Sequence, residues 1–209
     1  TVVVGYTDIY GRLLGKRYDA ETFANECLKD GTHACTYTLA VDMPMNPLEG
    51  FDFANWDKGF GDLHLVPDTN SARRAAWLDK TLLILCDIHD SATHELIPIG
   101  PRSMLQNTLK KVEEVIGEGC KVKAASELEY YLYNTSFREA HAKGYRYSEL
   151  EAAGYYSEDY HILQGTRTEP YHQKARNMLR ASGLPVENSK GETGIGQHEL
   201  NVKYHDVLL

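Results

Sequence analysis

No apolar run in the chain approaches the roughly 20 residues that a membrane-crossing helix needs. The longest, Thr81 to Cys86, has the length of a core strand, so no membrane partner is expected. Positive charge is also short. The 22 Lys and Arg against 30 Asp and Glu leave a net charge of −8, the opposite of the basic footprint of a nucleic-acid binder. There are only four cysteines, Cys27, Cys35, Cys86 and Cys120, with no Cys-x-x-Cys spacing and no accompanying His pattern, which argues against a zinc site. Without a visible signal peptide they read as reduced thiols of a cytoplasmic protein. The run Gly191 to Gly196 lacks the Gly-Lys-Ser/Thr ending of a Walker A loop. No repeat or low-complexity tract stands out. There is no initiator Met, and Val207-Leu208-Leu209 shows neither cap nor tail, so a piece of a longer polypeptide is expected.

What is present is a globular composition, 42% hydrophobic and 25% charged, over 209 residues. That length lies between one and two domains and suffices for a sizeable core. Residues 1–18 read as a hairpin turning at Gly11, with one strand running from Val2 to Tyr10. A helix is expected from Ala20 to Leu28, burying Phe23 and Cys27, then a strand from Cys35 to Val41. Residues 43–61, rich in Pro, Gly, Asp and Asn, read as a long loop. Strands are expected at Asp62 to Pro67 and Thr81 to Ile88, completing a small mixed sheet with a helix on one face.

Pro101, with Leu105, Leu109, Val112 and Ile116 on one stripe and Gly117 behind them, predicts an amphipathic helix. Lys121 to Asn134 reads as a long strand so aromatic (Tyr130, Tyr131, Tyr133) that both faces are expected to be buried. Loops with short helices fill 137–168, a helix runs from Glu169 to Ser182, and Tyr155, Tyr156 and Tyr160 are expected to pack.

Two acidic elements carry the chemistry. Glu127 and Glu129, two apart on a strand, face the same side of their sheet. Glu187, Glu192 and Glu199 lie on a glycine-punctuated run that ends in the alternating stretch Leu200 to Tyr204. Same-face carboxylates repel one another unless a cation or water separates them. Together the elements could supply oxygen ligands to Mg²⁺ or Mn²⁺, hard ions that bind along with substrate phosphates. His198 falls on the opposite side of the pleat from Glu199 and reads as structural.

These residues resemble the glutamine synthetase family along essentially the whole chain. The ordered set is Thr7-Asp8-Ile9-Tyr10-Gly11-Arg12, Pro67-Asp68, Leu85-Cys86-Asp87-Ile88, Glu127-Leu128-Glu129-Tyr130-Tyr131-Leu132, and Glu187 through Gly191-Glu192 to Gly196-Gln197-His198-Glu199. The resemblance implies an α+β fold: a small β-grasp-like domain over 1–100, then the truncated first part of a catalytic α+β domain over 101–209, assembled as a homo-oligomeric ring with active sites between subunits. It implies a ligase that phosphorylates the γ-carboxylate of glutamate with ATP and lets ammonia or an amine displace the phosphate. Glu129, Glu192 and Glu199 look like ligands of the metal nearer glutamate, and Glu127 like a ligand of the metal on the ATP phosphates. Glu187 is similar in position to a nucleotide-contacting glutamate, and Tyr204 to an aromatic near the base.

Two departures set the alternatives. The metal-binding His, a further Glu, the phosphate- and glutamate-holding arginines and the flap glutamate of the family are all missing up to Leu209. Loop 43–61 lacks the family's Asp-Gly-Ser-Ser latch, and Asp42, Asp52 and Asp57 do not align with its aspartate. The missing latch is typical of relatives that join glutamate to larger organic amines or polyamines. The missing ligands suggest a catalytically incomplete assembly or regulatory module.

Overall fold

The computed structural model describes residues 1–208; Leu209, the last residue of the expected 101–209 domain, lies outside them. Two compact units form, Thr1–Val122 with Leu208, and Lys123–Val207. No helix among the described residues is long and apolar enough to cross a membrane.

The first unit is built on a mixed sheet ordered β2-β1-β6-β4-β3, with the two-residue β5 (Arg73–Arg74) also on β6. Strands β1 (Val2–Thr7) and β2 (Leu13–Tyr18) make the expected hairpin, and β1 runs parallel to β6 (Leu82–Asp90). The first strand stops at Thr7 rather than Tyr10 because Asp8 pins the turn. Its Oδ1 accepts the backbone N–H groups of Tyr10 and Arg12, both at 2.9 Å, and Arg12 Nε donates to Oδ2 at 2.6 Å. Burial alone would raise this carboxyl, but the bonds from Arg12 and Tyr10 hold it below the usual carboxylate range.

Asp19 caps the helical stretch that follows, accepting from the N–H groups of Glu21 and Thr22. It runs through α1 (Ala20–Thr22), a π-helical turn (Phe23–Cys27) and α2 (Leu28–Asp30). Phe23 and Cys27 enter the core with Val2, Val4, Leu63, Leu65, Ile84 and Ile88. The strand expected from Cys35 to Val41 is instead β3 (Thr32–Cys35) followed by a 3₁₀ turn (Thr36–Leu39). Thr38 Oγ1 donates to the Cys35 carbonyl at 2.7 Å, a local bond that competes with the ladder. Residues 43–61 form no named strand or helix, and Asp42 just before them is committed to their start, its two oxygens accepting from Asn46 at 2.7 and 2.9 Å. Strand β4 (Asp62–Pro67) is as expected, and β6 extends two residues past Ile88 to pair with it.

Helix α3 (Pro101–Ile116) begins and ends where its Pro and Gly predict. Its Arg102 explains two of the motif aspartates. Arg102 Nε donates to Asp87 at 2.8 Å, one Nη ion-pairs with Asp68, and the other donates to the Leu208 carbonyl at 3.0 Å. Asp68 and Asp87 thus anchor a helix. All four cysteines are free, Cys27 and Cys86 buried and the other two partly so.

The second unit holds a three-stranded antiparallel sheet, β7-β9-β8, from β7 (Lys123–Tyr131), β8 (Val186–Gly191) and β9 (Gln197–Asp206). Short helices α4 (Phe137–Ala142) and α5 (Ile162–Gly165) precede α6 (Glu169–Ala181), which packs on one sheet face. Tyr130 stacks on His172 with ring centroids 5.9 Å apart, and Arg176 donates to Ser189 Oγ at 2.6 Å.

The expected two-sided burial of β7 is overturned. Every residue in it is exposed except the half-buried Tyr130. The strand is at the sheet's edge, and α6 covers only the face that carries Tyr130, His198 and Ser189. Tyr131, Tyr155, Tyr156 and Tyr160 are likewise exposed rather than packed.

Candidate functional site

Strand pairing gathers the acidic residues into rows. Glu129 of β7 stands opposite Glu199 of β9, which stands opposite Lys190 of β8. Two residues along, Glu127, Asn201 and Asn188 form the next row. A shift of two returns to the same side of a pleat, so both rows share one face. Register breaks at Ala124/Ser126 and Val186/Asn188 leave these rows intact. The β8–β9 turn is closed by Glu192 N–H to the Gln197 carbonyl and Gln197 N–H to the Gly194 carbonyl, both at 2.9 Å. It brings Glu192 beside Lys190.

Lys190 is the centre of this face. Its ammonium ion-pairs with Glu192, lies 3.7 Å from Glu199 and 3.5 Å from Asp159, and sits 4.4 Å from the centre of the Tyr160 ring. Glu199 is buried and Glu192 half-buried. Contact between these two carboxyls holds Glu192 below the usual range and, with burial, raises Glu199. The pair shares charge that a cation between them stabilises. Glu129 is exposed and accepts from Gln197 Nε2 at 2.7 Å. Glu127 is exposed on the outer row.

The structure therefore sets Glu129 opposite Glu199, joins Glu199 to Glu192, and leaves Glu127 one row along the same face. Among the described residues no group of three or more His, Cys, Asp or Glu is gathered tightly enough to hold a metal ion. The cation among these carboxylates is the Lys190 ammonium, set against Glu192 and Glu199. Sequence reasoning missed Lys190, Gln197 and Asp159. Lys190 had a signal in its two-residue spacing from Glu192, but its pairing with Glu199 is set by register alone.

Glu187 and Tyr204 take no part in these ion pairs. Glu187 lines a cleft of about 500 Å³ with Glu169, His172, Arg176, Arg180 and Lys190. Tyr204, 75% exposed near the end of β9, is outside that lining.

The opposite face is a buried polar layer. His198 is 2% exposed with its ring 4.2 Å from His172, and Nε2 is 3.5 Å from Glu158, itself 1% exposed. Neither the Glu158 oxygens nor the Nε2 atoms of the two histidines have a hydrogen-bond partner. Burial pushes His198 down to about 4 and lowers His172, while it raises Glu158, so burial disfavours the charged form of each. His198 is thus structural, as its place on the pleat predicts.

Comparison with known proteins bears on the whole chain. A family model described as the glutamine synthetase catalytic domain matches residues 98–209. The chain is 35% identical to a γ-glutamylethanolamide synthetase, GlnA4, of Streptomyces coelicolor, over 100% of its own length and 44% of that protein. It is 32% identical to a glutamate–isopropylamine ligase of a Pseudomonas species, again over 100% and 44%. It therefore spans less than half the length of these relatives. Among solved structures, a glutamine synthase homologue superimposes with a TM-score of 0.76 at 18% identity, covering 99% of this chain and 44% of the other. The ADP complex of GmaS superimposes with a TM-score of 0.74 at 18% identity, covering 99% and 42%. With the family model matching more than half of its residues, the chain belongs to the glutamine synthetase family.

Proposed function

We propose that this chain is the first portion of an ATP-dependent ligase that forms an amide between the γ-carboxylate of glutamate and an amine. The observation that carries this reading is the cross-strand pair Glu129–Glu199, with Glu192 joined to Glu199 through the Lys190 ammonium. In the proposed reaction a γ-carboxylate oxygen of glutamate attacks the γ-phosphorus of ATP and ADP leaves. The amine nitrogen then attacks the acyl carbon, phosphate departs, and the amine loses a proton.

Glu129, Glu192 and Glu199 would hold one Mg²⁺ or Mn²⁺, and Glu127 would contribute to a second. Bound there, such ions neutralise charge on the transferring phosphoryl group. Glu187 is proposed as a nucleotide contact, supported by the basic lining of its cleft (Arg176, Arg180, Lys190). Tyr204 is proposed near the base, a role supported only by its family position.

For the architecture we infer a β-grasp-like domain over 1–100 and the start of the catalytic domain at 101–209. The β1–β2 hairpin, the parallel β1–β6 pair and the helix packed on that sheet support the first. The family match beginning at residue 98 supports the second. A homo-oligomeric ring with shared active sites, and a cytoplasmic location consistent with four free thiols, complete the reading.

The acceptor is proposed to be an organic amine rather than ammonia. The names of the two relatives, one forming an ethanolamide and one using isopropylamine, support this, as does Asp42, which stands just before the 43–61 loop and is spent on Asn46. Rates of phosphate release by the full-length protein with ammonium, methylamine, ethanolamine and a polyamine, side by side, test it. We expect one organic amine to exceed ammonium by at least about tenfold in kcat/KM, about 1.4 kcal/mol of transition-state discrimination. Preference for ammonium would remove the argument from the loop.

The absence of a compact three-residue metal group among the described residues favours a second reading, a non-catalytic assembly module. Calorimetry of residues 1–209 with Mg²⁺ and a non-hydrolysable ATP analogue separates the two, since tight binding would count against the module.

A further inference from the structure

The first unit carries a feature that the ligase reading does not use. Strands β3, β4 and β6 place His33, His64 and His89 in one row across three neighbouring strands. The turn after β6 folds His94 back onto them. The ring centroids of His33 and His94 lie 5.4 and 5.2 Å from that of His64, and His89 lies 6.5 Å away. His64 and His89 are half-buried, His33 and His94 exposed.

Two of these rings face each other through nitrogen. His94 Nδ1 lies 3.3 Å from His64 Nδ1. Two nitrogens on a tetrahedral Zn²⁺, each about 2.0–2.1 Å from the ion, are about 3.3–3.4 Å apart. The surroundings fix the tautomer this needs. His64 Nε2 is 2.9 Å from the Asp30 carbonyl, so it carries the proton and leaves the Nδ1 lone pair directed at His94. A ring N–H tied to a backbone carbonyl is the usual support of a metal-ligating histidine. Gly31 makes that bond possible: its φ is +72°, and a Cβ there would lie 2.4 Å from His64 Nε2.

The other arm is equally constrained. Asp90 Oδ1 accepts from Ala92 and Thr93 at 2.9 and 2.8 Å, and the His94 carbonyl accepts from His89 Nδ1 at 2.9 Å. His94 itself holds a left-handed backbone with φ of +58°. Non-glycine residues in that conformation are uncommon and worth a functional explanation.

We propose that His64 and His94 form a chelate site for a borderline divalent transition metal of the Zn²⁺, Ni²⁺ or Cu²⁺ class. The chain supplies these two nitrogens, since no set of three or more candidate ligands is gathered among the described residues, and water fills the remaining positions. The proton shared by the two Nδ1 atoms moves to His94 Nε2 as the ion enters, so the neutral pair binds without net proton loss. Imidazole nitrogens favour these ions over Mg²⁺ and Mn²⁺, which go to oxygen. The site is therefore chemically separate from the carboxylate rows, and independent of the ligase reading.

Zinc calorimetry of the protein in excess Mg²⁺ tests it. We expect one Zn²⁺ per chain, with affinity reduced at least about tenfold in His64→Ala and in His94→Gly, because losing even a supporting bond costs roughly 10–100-fold. Glycine suits the left-handed position 94, so that variant keeps the turn and the fold. Glu199→Ala should bind Zn²⁺ as the parent does. No Zn²⁺ uptake in excess Mg²⁺, or unchanged uptake in both histidine variants, would overturn the proposal.

Discussion

Glu199→Ala in the full-length protein should lower metal-dependent phosphate release from ATP and glutamate by at least about a thousandfold, about 4 kcal/mol in barrier height. Glu199 is tied to both of the ligands proposed to share its metal. It pairs across the strands with Glu129 and Lys190, and its carboxyl interacts with Glu192. It is buried, so no alternative side chain can swing in to replace it. Its removal also leaves Lys190 with Glu192 and Asp159 alone, which should weaken Mn²⁺ binding measured by calorimetry without substrates. Glu129→Ala should behave similarly with a smaller loss, because Glu129 is exposed and held through Gln197. If Glu199→Ala and Glu129→Ala both keep activity, the assignment of this face is wrong.

The second large effect is on stability. Urea unfolding of the chain should show it losing roughly 2–3 kcal/mol between pH 6.5 and pH 4 on account of His198. The sign follows from burial. Unfolded, the ring takes up a proton as pH falls through about 6.5. Folded, it stays neutral until about 4, so the unfolded state gains protons first and stability falls across that window. His172, also lowered by burial, adds in the same direction. Glu158 acts oppositely. Its raised carboxyl costs stability above its unfolded value, and that cost is relieved as pH falls. Measurement in a Glu158→Gln background removes this offset and exposes the histidine contribution. A pH-independent stability from 6.5 to 4 in that background would mean that His198 is hydrated and not part of a closed layer.

Much of this was legible in the residues because it depends on local rules. Pro101, the Leu105–Ile116 stripe and Gly117 define α3 without any tertiary information, and the pleat alone puts Glu127 and Glu129 together and His198 away from Glu199. The errors share a cause. The strand expected over Cys35 to Val41 yields to a 3₁₀ turn held by Thr38, a side-chain bond that propensity does not register. The tyrosines of β7 suggest burial, yet burial depends on what covers a strand, and α6 covers only one face. The histidine cluster had no signal in the sequence. His33, His64 and His89 are distant in sequence and meet only through the register of β3, β4 and β6.

If these carboxylates serve phosphoryl transfer to glutamate, phosphate release from ATP by the full-length protein, with Mg²⁺ or Mn²⁺ and an amine, must depend on glutamate, and it is measured in its presence and absence. Release that requires both glutamate and the divalent ion, accompanied by a γ-glutamylamide in equal amount, is the result expected. ATP turnover indifferent to glutamate, or amide formation that survives removal of divalent ions, would contradict it.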